Sequence, residues 1–283
     1  ARLGAQLYRG EIVAADATHA ELGRISRAQQ WPAVVWFHDR LTVQRHLLSG
    51  DFGAAATALD ALRSNGKRWR VTYSPALSDM LQGVLMLERS GPAALRDEAK
   101  LVMLRAAWPS APIGTRPGLA RLLLELGEPD AARSLLESCS VNGFAPVPRD
   151  IGYLGALANL AMLAIRLEDR ARAAMLYELL APYPHHNTLN VLLLYEGSVS
   201  YFLARLAMLL GRDGVETHFD AALAMNEALG QRPQLARTCH EYARWLSTGN
   251  KAAQKKARDL QNRAQTLAQS MGMAFLLERI ARE

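Results

Sequence analysis

The segment LGEPDAARSLLESC, residues 126–139, contains a residue spacing that is typical of packed helices. Counting forward from Gly127, a small residue stands five positions on, a large one nine positions on and a small one twelve positions on. These residues are Ala132, Leu136 and Cys139. Because an α-helix has about 3.6 residues per turn, the three side chains share one face. The segment therefore predicts a helix whose small residues allow close packing and whose leucine fills the groove of a partner helix.

The same spacing recurs along the chain. Counting from Gly50, Glu168 and Gly211 gives three further copies, of which the last is one residue shorter. The three positions in these copies are Ala55, Leu59 and Leu62, then Ala173, Tyr177 and Leu180, then Val215, Phe219 and Ala222. A C-terminal copy keeps the two small residues Ala257 and Ala264, and a degenerate copy places Ala94 near its expected position.

The interval between copies indicates a repeat. From Ala132, the first small residues of successive copies are separated by 41, 42 and 42 residues, and Ala55 precedes Ala132 by 77 residues, about two repeats. Proline- or glycine-containing segments end each copy, where they stop one helix and allow the next to start. A period of roughly 34 to 47 residues with two helices per unit is typical of a helical solenoid.

These observations predict an all-α fold, a right-handed α-helical solenoid of tetratricopeptide-like hairpins, with little or no sheet. We expect a single repeat domain over residues 1–283. It divides into a leading helix within about 1–31, about six helical hairpins over 32–272 and a closing helix over 273–283. The alternative is a non-repetitive α-helical bundle. The chain begins with Ala1 and not Met, which favours a fragment of a longer multidomain protein.

Composition and charge exclude several classes of protein. Lys and Arg number 33 against 27 acidic residues, for a net charge of +6 without any block of five like charges, which argues against a nucleic-acid-binding face. The two cysteines, Cys139 and Cys239, are a hundred residues apart and predict buried reduced thiols. The sequence shows neither an apolar run long enough to span a bilayer nor a signal peptide. We therefore predict a cytoplasmic protein that binds neither nucleic acid nor membrane directly.

Four segments carry a resemblance to a known group of proteins. They are PRDIGYLGALANLAMLAIRLEDRARAAMLYELLAPYPHHN (148–187), GSVSYFLARLAMLLGR (197–212), HFDAALAMNEALGQRPQLARTCHEYARWL (218–246) and ARDLQNRAQTLAQSMGM (257–273). Together they resemble the C-terminal tetratricopeptide-like, MalT-like region of bacterial AAA or STAND signalling ATPases, found in regulators linked to adenylate/guanylate cyclases or to LuxR-type domains. The resemblance implies a sensor or scaffold region with an ATPase module as its intramolecular partner.

The chain lacks the motifs of the enzymatic parts of such proteins. A phosphate-binding loop needs G-x-x-x-x-G-K-[ST], but Gly66-Lys67 has Ala61 in place of the first glycine and Arg68 in place of the hydroxyl residue. His185 and His186 are adjacent and lack other ligands at metal-binding spacing. We therefore predict no catalytic residues, no metal ligands and no cofactor, and a protein that is not itself an enzyme.

The resemblance also implies which residues face the concave surface of the solenoid, on the first helix of each hairpin. This set, here called the groove residues, comprises Arg40, Gln44, Arg121, Ser198, Tyr201, Arg205, Arg237 and Tyr242. Arginines in a groove favour a protein or peptide partner with acidic residues, or a small anionic effector, because guanidinium binds carboxylate and phosphate bidentately. The alternative is that these arginines cover apolar surface and pair with acids of neighbouring repeats.

Two functions follow from these expectations. The first is a protein-, peptide- or effector-binding sensor region of a bacterial signal-transduction ATPase. The second is a free-standing tetratricopeptide regulator that binds peptides without an ATPase module. An all-α enzyme is a third class, for which the sequence shows no catalytic constellation.

Overall fold

A computed structural model describes residues 2–72, 74–97, 113–189 and 195–282 of the chain. Within these ranges the protein is all-α, with fourteen α-helices and one small two-stranded sheet. The helices are α1 (Arg2–Tyr8), α2 (Ile12–Gln29), α3 (Pro32–Ser49), α4 (Phe52–Arg68), α5 (Ser74–Ser90), α6 (Arg116–Glu125), α7 (Pro129–Phe144), α8 (Tyr153–Arg166), α9 (Arg170–Leu180), α10 (Val199–Leu210), α11 (Val215–Ala228), α12 (Arg232–Leu246), α13 (Lys251–Met271) and α14 (Ala274–Arg282). The strands are β1 (Asn187–Leu189) and β2 (Tyr195–Ser198), and a 3-10 turn spans Pro92–Leu95.

The two ends of the chain are both helical. Helix α14 spans Ala274–Arg282, and residues 2–29 form the two helices α1 and α2. Gly10, with a φ of 76°, takes the left-handed conformation that ends α1 and turns the chain into α2. The degenerate copy places Ala94 in the 3-10 turn, and its continuation over residues 98–104 lies outside the described residues.

The chain divides into two compact units. Unit 1 comprises Ala1–Leu95 and Glu227–Glu283, so it combines helices from both ends of the chain. Unit 2 comprises Arg96–Asn226. The expectation of a single repeat domain stays a prediction.

Unit 2 is built from consecutive helical hairpins. Helix α6 packs on α7 and α8 on α9, and the first helices α6, α8 and α10 pack side by side in that order. The second helix of each hairpin also contacts the first helix of the next, α7 with α8 and α9 with α10. Each hairpin therefore buries its apolar face against the following one.

Unit 1 contains the hairpins α3–α4 and α12–α13, together with packed neighbours at each end of the chain. Contacts between α3 and α12 and between α5 and α14 join its N-terminal and C-terminal parts. Close approach explains Gly66, since a Cβ at this position would collide with the Ser74 side chain. Trp36 lies at the same place and donates its indole N–H to Ser74 Oγ at 2.9 Å. Gly66 is thus a packing residue and not part of a phosphate-binding loop.

Burial follows the predicted repeat spacing. The small first positions Ala55, Ala132, Ala173, Val215 and Ala257 are all buried, and so are their third positions. At the large second position Leu59, Leu136 and Phe219 are buried as well. Tyr177 is half-buried, and its hydroxyl lies 3.0 Å from Nε2 of His218 on α11.

The turn that opens each copy has one backbone requirement. Gly50, Gly127 and Gly211 have φ angles of 76°, 92° and 67°, in the left-handed region that favours glycine. Glu168 occupies the same place in its copy and has a φ of 54°. Glu168 therefore takes the same left-handed conformation as the three glycines, although it carries a side chain. Asp51 and Asp169 then cap α4 and α9 by accepting backbone N–H bonds at 3.0 Å.

The single sheet of the described residues is the antiparallel pair β1–β2 in unit 2. Asn187 pairs with Ser198 and Thr188 with Gly197, and both strands contact helix α8. Thr188 also donates its hydroxyl to the carbonyl of Gly197 at 2.8 Å. This small sheet, the β-hairpin, thus places an extended segment against a first helix. Among the described residues, none of the helices is long and apolar enough to cross a membrane.

Candidate binding surface

The structure places four of the eight groove residues in each unit. Arg40 and Gln44 lie on α3, and Arg237 and Tyr242 lie on α12, in unit 1. Arg121, Ser198, Tyr201 and Arg205 belong to unit 2, on or next to α6 and α10.

Arg121 on α6 is the centre of a polar cluster in unit 2. Its guanidinium donates to Oε2 of Glu196 on β2 at 2.8 Å and to Oδ1 of Asn159 on α8 at 3.3 Å. Asn159 is buried, and its amide donates to the carbonyl of Gly155 one turn earlier at 2.9 Å. The side chain of Arg121 remains 34% exposed, and that of Glu196 is 16% exposed. We call these three residues, Arg121, Asn159 and Glu196, the Arg121 cluster.

The other groove residues of unit 2 stabilise helix α10. Ser198 is fully buried, and its Oγ accepts the backbone N–H of Tyr201 at 3.2 Å, as an N-cap. Arg205 donates to the hydroxyl of Tyr201 at 3.0 Å, with its guanidinium 5.9 Å from the ring centroid. The structure therefore brings Ser198, Tyr201 and Arg205 together, but as mostly buried contacts within one helix.

In unit 1, contacts within the fold are also prominent. Arg40 is buried, with its guanidinium 4.9 Å from the ring centroid of Phe37, and Gln44 lies one turn further along α3. Arg237 forms an ion pair with Glu88 of α5. Tyr242 is fully buried, and its hydroxyl accepts a bond from Lys256 Nζ of α13 at 2.7 Å.

Two acidic residues that were not predicted from the sequence bind arginines in the structure. They are Glu196 on β2 and Glu241 on α12. The Glu241 side chain is only 4% exposed and binds Arg244 at 3.0 Å and Arg279 of α14 at 2.9 Å. The three-residue spacing of Glu241 and Arg244 is a local signal for a pair on one helix face. Glu196 is 75 residues from Arg121, and no local pattern connects them.

The surroundings of the cysteines and of His218 affect their protonation. The described part of the chain contains no group of three or more His, Cys, Asp or Glu residues placed to hold a metal ion. Burial raises the pKa of the Cys239 thiol to about 11, and burial also raises the pKa of Cys139. Both thiols are therefore protonated near neutral pH, and protonated thiols are poor nucleophiles. Burial lowers the pKa of His218, which favours the neutral ring.

Comparison with known proteins finds no matching family model, no similar curated protein and no similar solved structure. The candidate surface is thus defined by its own geometry. Two groove residues, Arg121 in unit 2 and Arg237 in unit 1, pair with a carboxylate from a distant segment of their own unit, and the side chain of Arg121 is the more exposed of the two.

Proposed function

We propose that this chain is a non-catalytic binding region of a bacterial signal-transduction ATPase that acts in the cytoplasm. It forms a tetratricopeptide-like right-handed solenoid and binds a protein or peptide partner, or a small anionic effector, through the first helices of its hairpins. The bound state is relayed to an ATPase module of the same polypeptide.

The observation that carries the binding role is the side-by-side packing of α6, α8 and α10. In a stack of hairpins, the first helices form one continuous wall, and the second helices form the other. Arg121 stands on that wall and pairs with a carboxylate, and its side chain is 34% exposed. Such an arginine suits recognition of acidic groups, because its donors match carboxylate geometry.

The binding role is tested by titrating a fluorescein-labelled hexaglutamate peptide into the purified chain and measuring anisotropy. Arg121→Gln is expected to weaken binding by about tenfold, since it removes the charge but keeps a hydrogen-bonding side chain. Arg212→Gln is the matched control, because Arg212 pairs with Glu178 of a second helix at 2.6 Å. Equal affinity of the wild type and Arg121→Gln would rule out binding through the first helices.

The signalling role depends on the resemblance of residues 148–273 and is tested on the gene. We expect the complete reading frame to encode a G-x-x-x-x-G-K-[ST] loop, which cradles nucleotide phosphates, outside this chain. A reading frame without that loop would contradict the ATPase role and favour a free-standing peptide-binding regulator.

A further inference from the structure

The β-hairpin supplies the Arg121 cluster with its carboxylate. Helix α8 contacts both strands, and β2 leads directly into α10, so the β-hairpin lies against the wall of first helices. From β2, Glu196 reaches Arg121 on α6 at 2.8 Å. An extended segment of the chain with an acidic side chain therefore already occupies the place that the proposed function assigns to a partner.

The contact has the chemistry of a bound peptide. Both strands also pack on α8, and Leu189 of β1 is fully buried, so packing of the strands accompanies the ion pair. A free carboxylate ion would reproduce the bond to Arg121 but not these contacts. An acidic peptide in an extended conformation would reproduce both, because strand-like segments present alternate side chains to opposite sides.

Exchange of one carboxylate for another is feasible at this position. Water reaches Arg121 and, to a lesser extent, Glu196, so the guanidinium need not lose all contacts before a second carboxylate arrives. The exchange breaks one guanidinium–carboxylate bond of Arg121 and makes another of the same kind. The free energy difference between the two ion pairs is therefore small.

We propose that the β-hairpin is an internal competitor at the first helices, and that the partner is an acidic peptide segment of another protein whose carboxylate replaces Glu196 on Arg121. This inference rests on the proposed function and adds the partner class and its regulation. Molecules in which Glu196 is bound to Arg121 do not bind the partner there. The apparent affinity for the partner is therefore lower, in proportion to the fraction of such molecules.

The test uses Glu196→Gln, which keeps the shape of the side chain and removes its charge. The probe is a fluorescein-labelled peptide of sequence Glu-Glu-Tyr-Glu-Gly-Ser-Glu-Glu, built around the sequence of β2. Glu196→Gln is expected to bind this probe about three- to tenfold more tightly than the wild type, because the competing charge is absent. Glu178→Gln is the control, since it removes a carboxylate of the second helix α9, where Glu178 pairs with Arg212. It is expected to leave the affinity unchanged.

Each outcome separates the inference from the proposed function. Equal probe affinity of the wild type and Glu196→Gln, with weaker binding by Arg121→Gln, would overturn the competition and leave the proposed binding role intact. Lack of binding by all variants, each shown to be folded by circular dichroism, would overturn both. Tighter association of Glu196→Gln with itself, seen as a dimer by light scattering in place of peptide binding, would assign the surface to a second copy and overturn the peptide partner.

Discussion

Glu241 in unit 1 and Glu196 in unit 2 are both carboxylates held by arginine, but they are held differently. Glu241 is almost wholly buried on a helix and binds two guanidiniums, one from its own helix and one from α14. Glu196 lies on a short strand, is more exposed and pairs with Arg121 across 75 residues of sequence. The first arrangement joins two helices through a buried carboxylate, while the second joins a strand to a helix through a partly exposed pair. We therefore expect Glu241 to contribute more to stability than Glu196, and we propose that the Glu196 pair serves recognition.

The largest expected effect tests this difference directly. Glu241→Ala leaves Arg244 and Arg279 without their carboxylate, and it is expected to lower the free energy of unfolding by about 3 kcal/mol. This loss is at the low end of what removing one partner of a buried ion pair costs, because both arginine side chains are partly exposed and regain water. By contrast, Glu196→Gln is expected to lower the free energy of unfolding by less than about 1 kcal/mol.

Urea unfolding followed by tryptophan fluorescence measures the loss in unit 1. Four of the five tryptophans belong to unit 1, namely Trp31, Trp36, Trp69 and Trp245, and the fifth is Trp108. Glu278→Ala is the control, since its pair with Arg282 is exposed on both sides. Equal losses for Glu241→Ala and Glu196→Gln would remove the distinction between the two carboxylates.

The second prediction concerns the small buried residues at helix contacts, which both units contain. Ala132→Leu in unit 2 and Ala264→Leu in unit 1 each force a larger side chain into a fully buried small position. Each is expected to lower the free energy of unfolding by about 2 kcal/mol, because the facing helices have to separate. Ala252→Leu, at an exposed position of α13, is expected to stay within about 0.5 kcal/mol of the wild type. Urea titration by circular dichroism measures all three. Tolerance of leucine at either buried position would contradict close helix packing there.

A third, smaller effect is expected to stabilise unit 2. Glu168 has a φ of 54°, where a side chain other than glycine costs about 1 kcal/mol. Glu168→Gly is therefore expected to raise the free energy of unfolding by up to about 1 kcal/mol, although glycine also gains freedom in the unfolded chain. Glu137→Gly, at an exposed helical position of α7, is the comparison and is expected to lower the free energy of unfolding by about 1 kcal/mol. Thermal melts that show the same sign for both variants would contradict the conformational argument.

The smallest effect is a pH dependence of unit 1. The ring of His19 stacks on His38 with centroids 4.8 Å apart, and Nε2 lies 3.2 Å from Oγ1 of Thr42. Burial, followed by the nearby His38, lowers the pKa of His19 below its ordinary value of about 6.5. The folded state then binds fewer protons than the unfolded state, so stability is complete above that value and declines as the pH falls below it.

This decline is measured by urea unfolding at pH 7.5 and 5.5, again with tryptophan fluorescence. His19→Gln is expected to reduce the difference between the two pH values, because Gln does not titrate. His185→Gln, an exposed residue of unit 2, is the control and is expected to leave the difference unchanged. An unchanged difference in His19→Gln would assign the pH dependence to other groups.

The sequence predicted those features that depend on neighbouring residues. Helical spacing identified the buried positions of each copy, since Ala55, Ala132 and Ala173 follow a period that any helix imposes. Asp169 caps a helix through the backbone N–H three residues on, a contact between close neighbours in the sequence. Opposing effects act on its carboxyl: burial raises the pKa, but the bonds from Arg172 outweigh burial and lower it.

Features that depend on distant residues were not predicted. The pairing of Glu196 with Arg121 joins β2 to α6, and the contact of α5 with α14 joins opposite ends of the chain. A repeat period relates each copy only to the next one, so it contains no information about such contacts. The β-hairpin was missed for the same reason, because its strands gain their stability by packing on α8.

The discontinuity of unit 1 has a consequence for the order of events on the ribosome. Residues 96–226 emerge before the C-terminal helices that complete unit 1, so unit 2 has all of its own segments available first. Helices α1 to α5 pack on one another, but the contacts of α3 with α12 and of α5 with α14 form only after the C-terminal helices have been synthesised. Until then, the surfaces of α3 and α5 that receive α12 and α14 are uncovered, and the nascent chain is most exposed to aggregation and to chaperones during that interval.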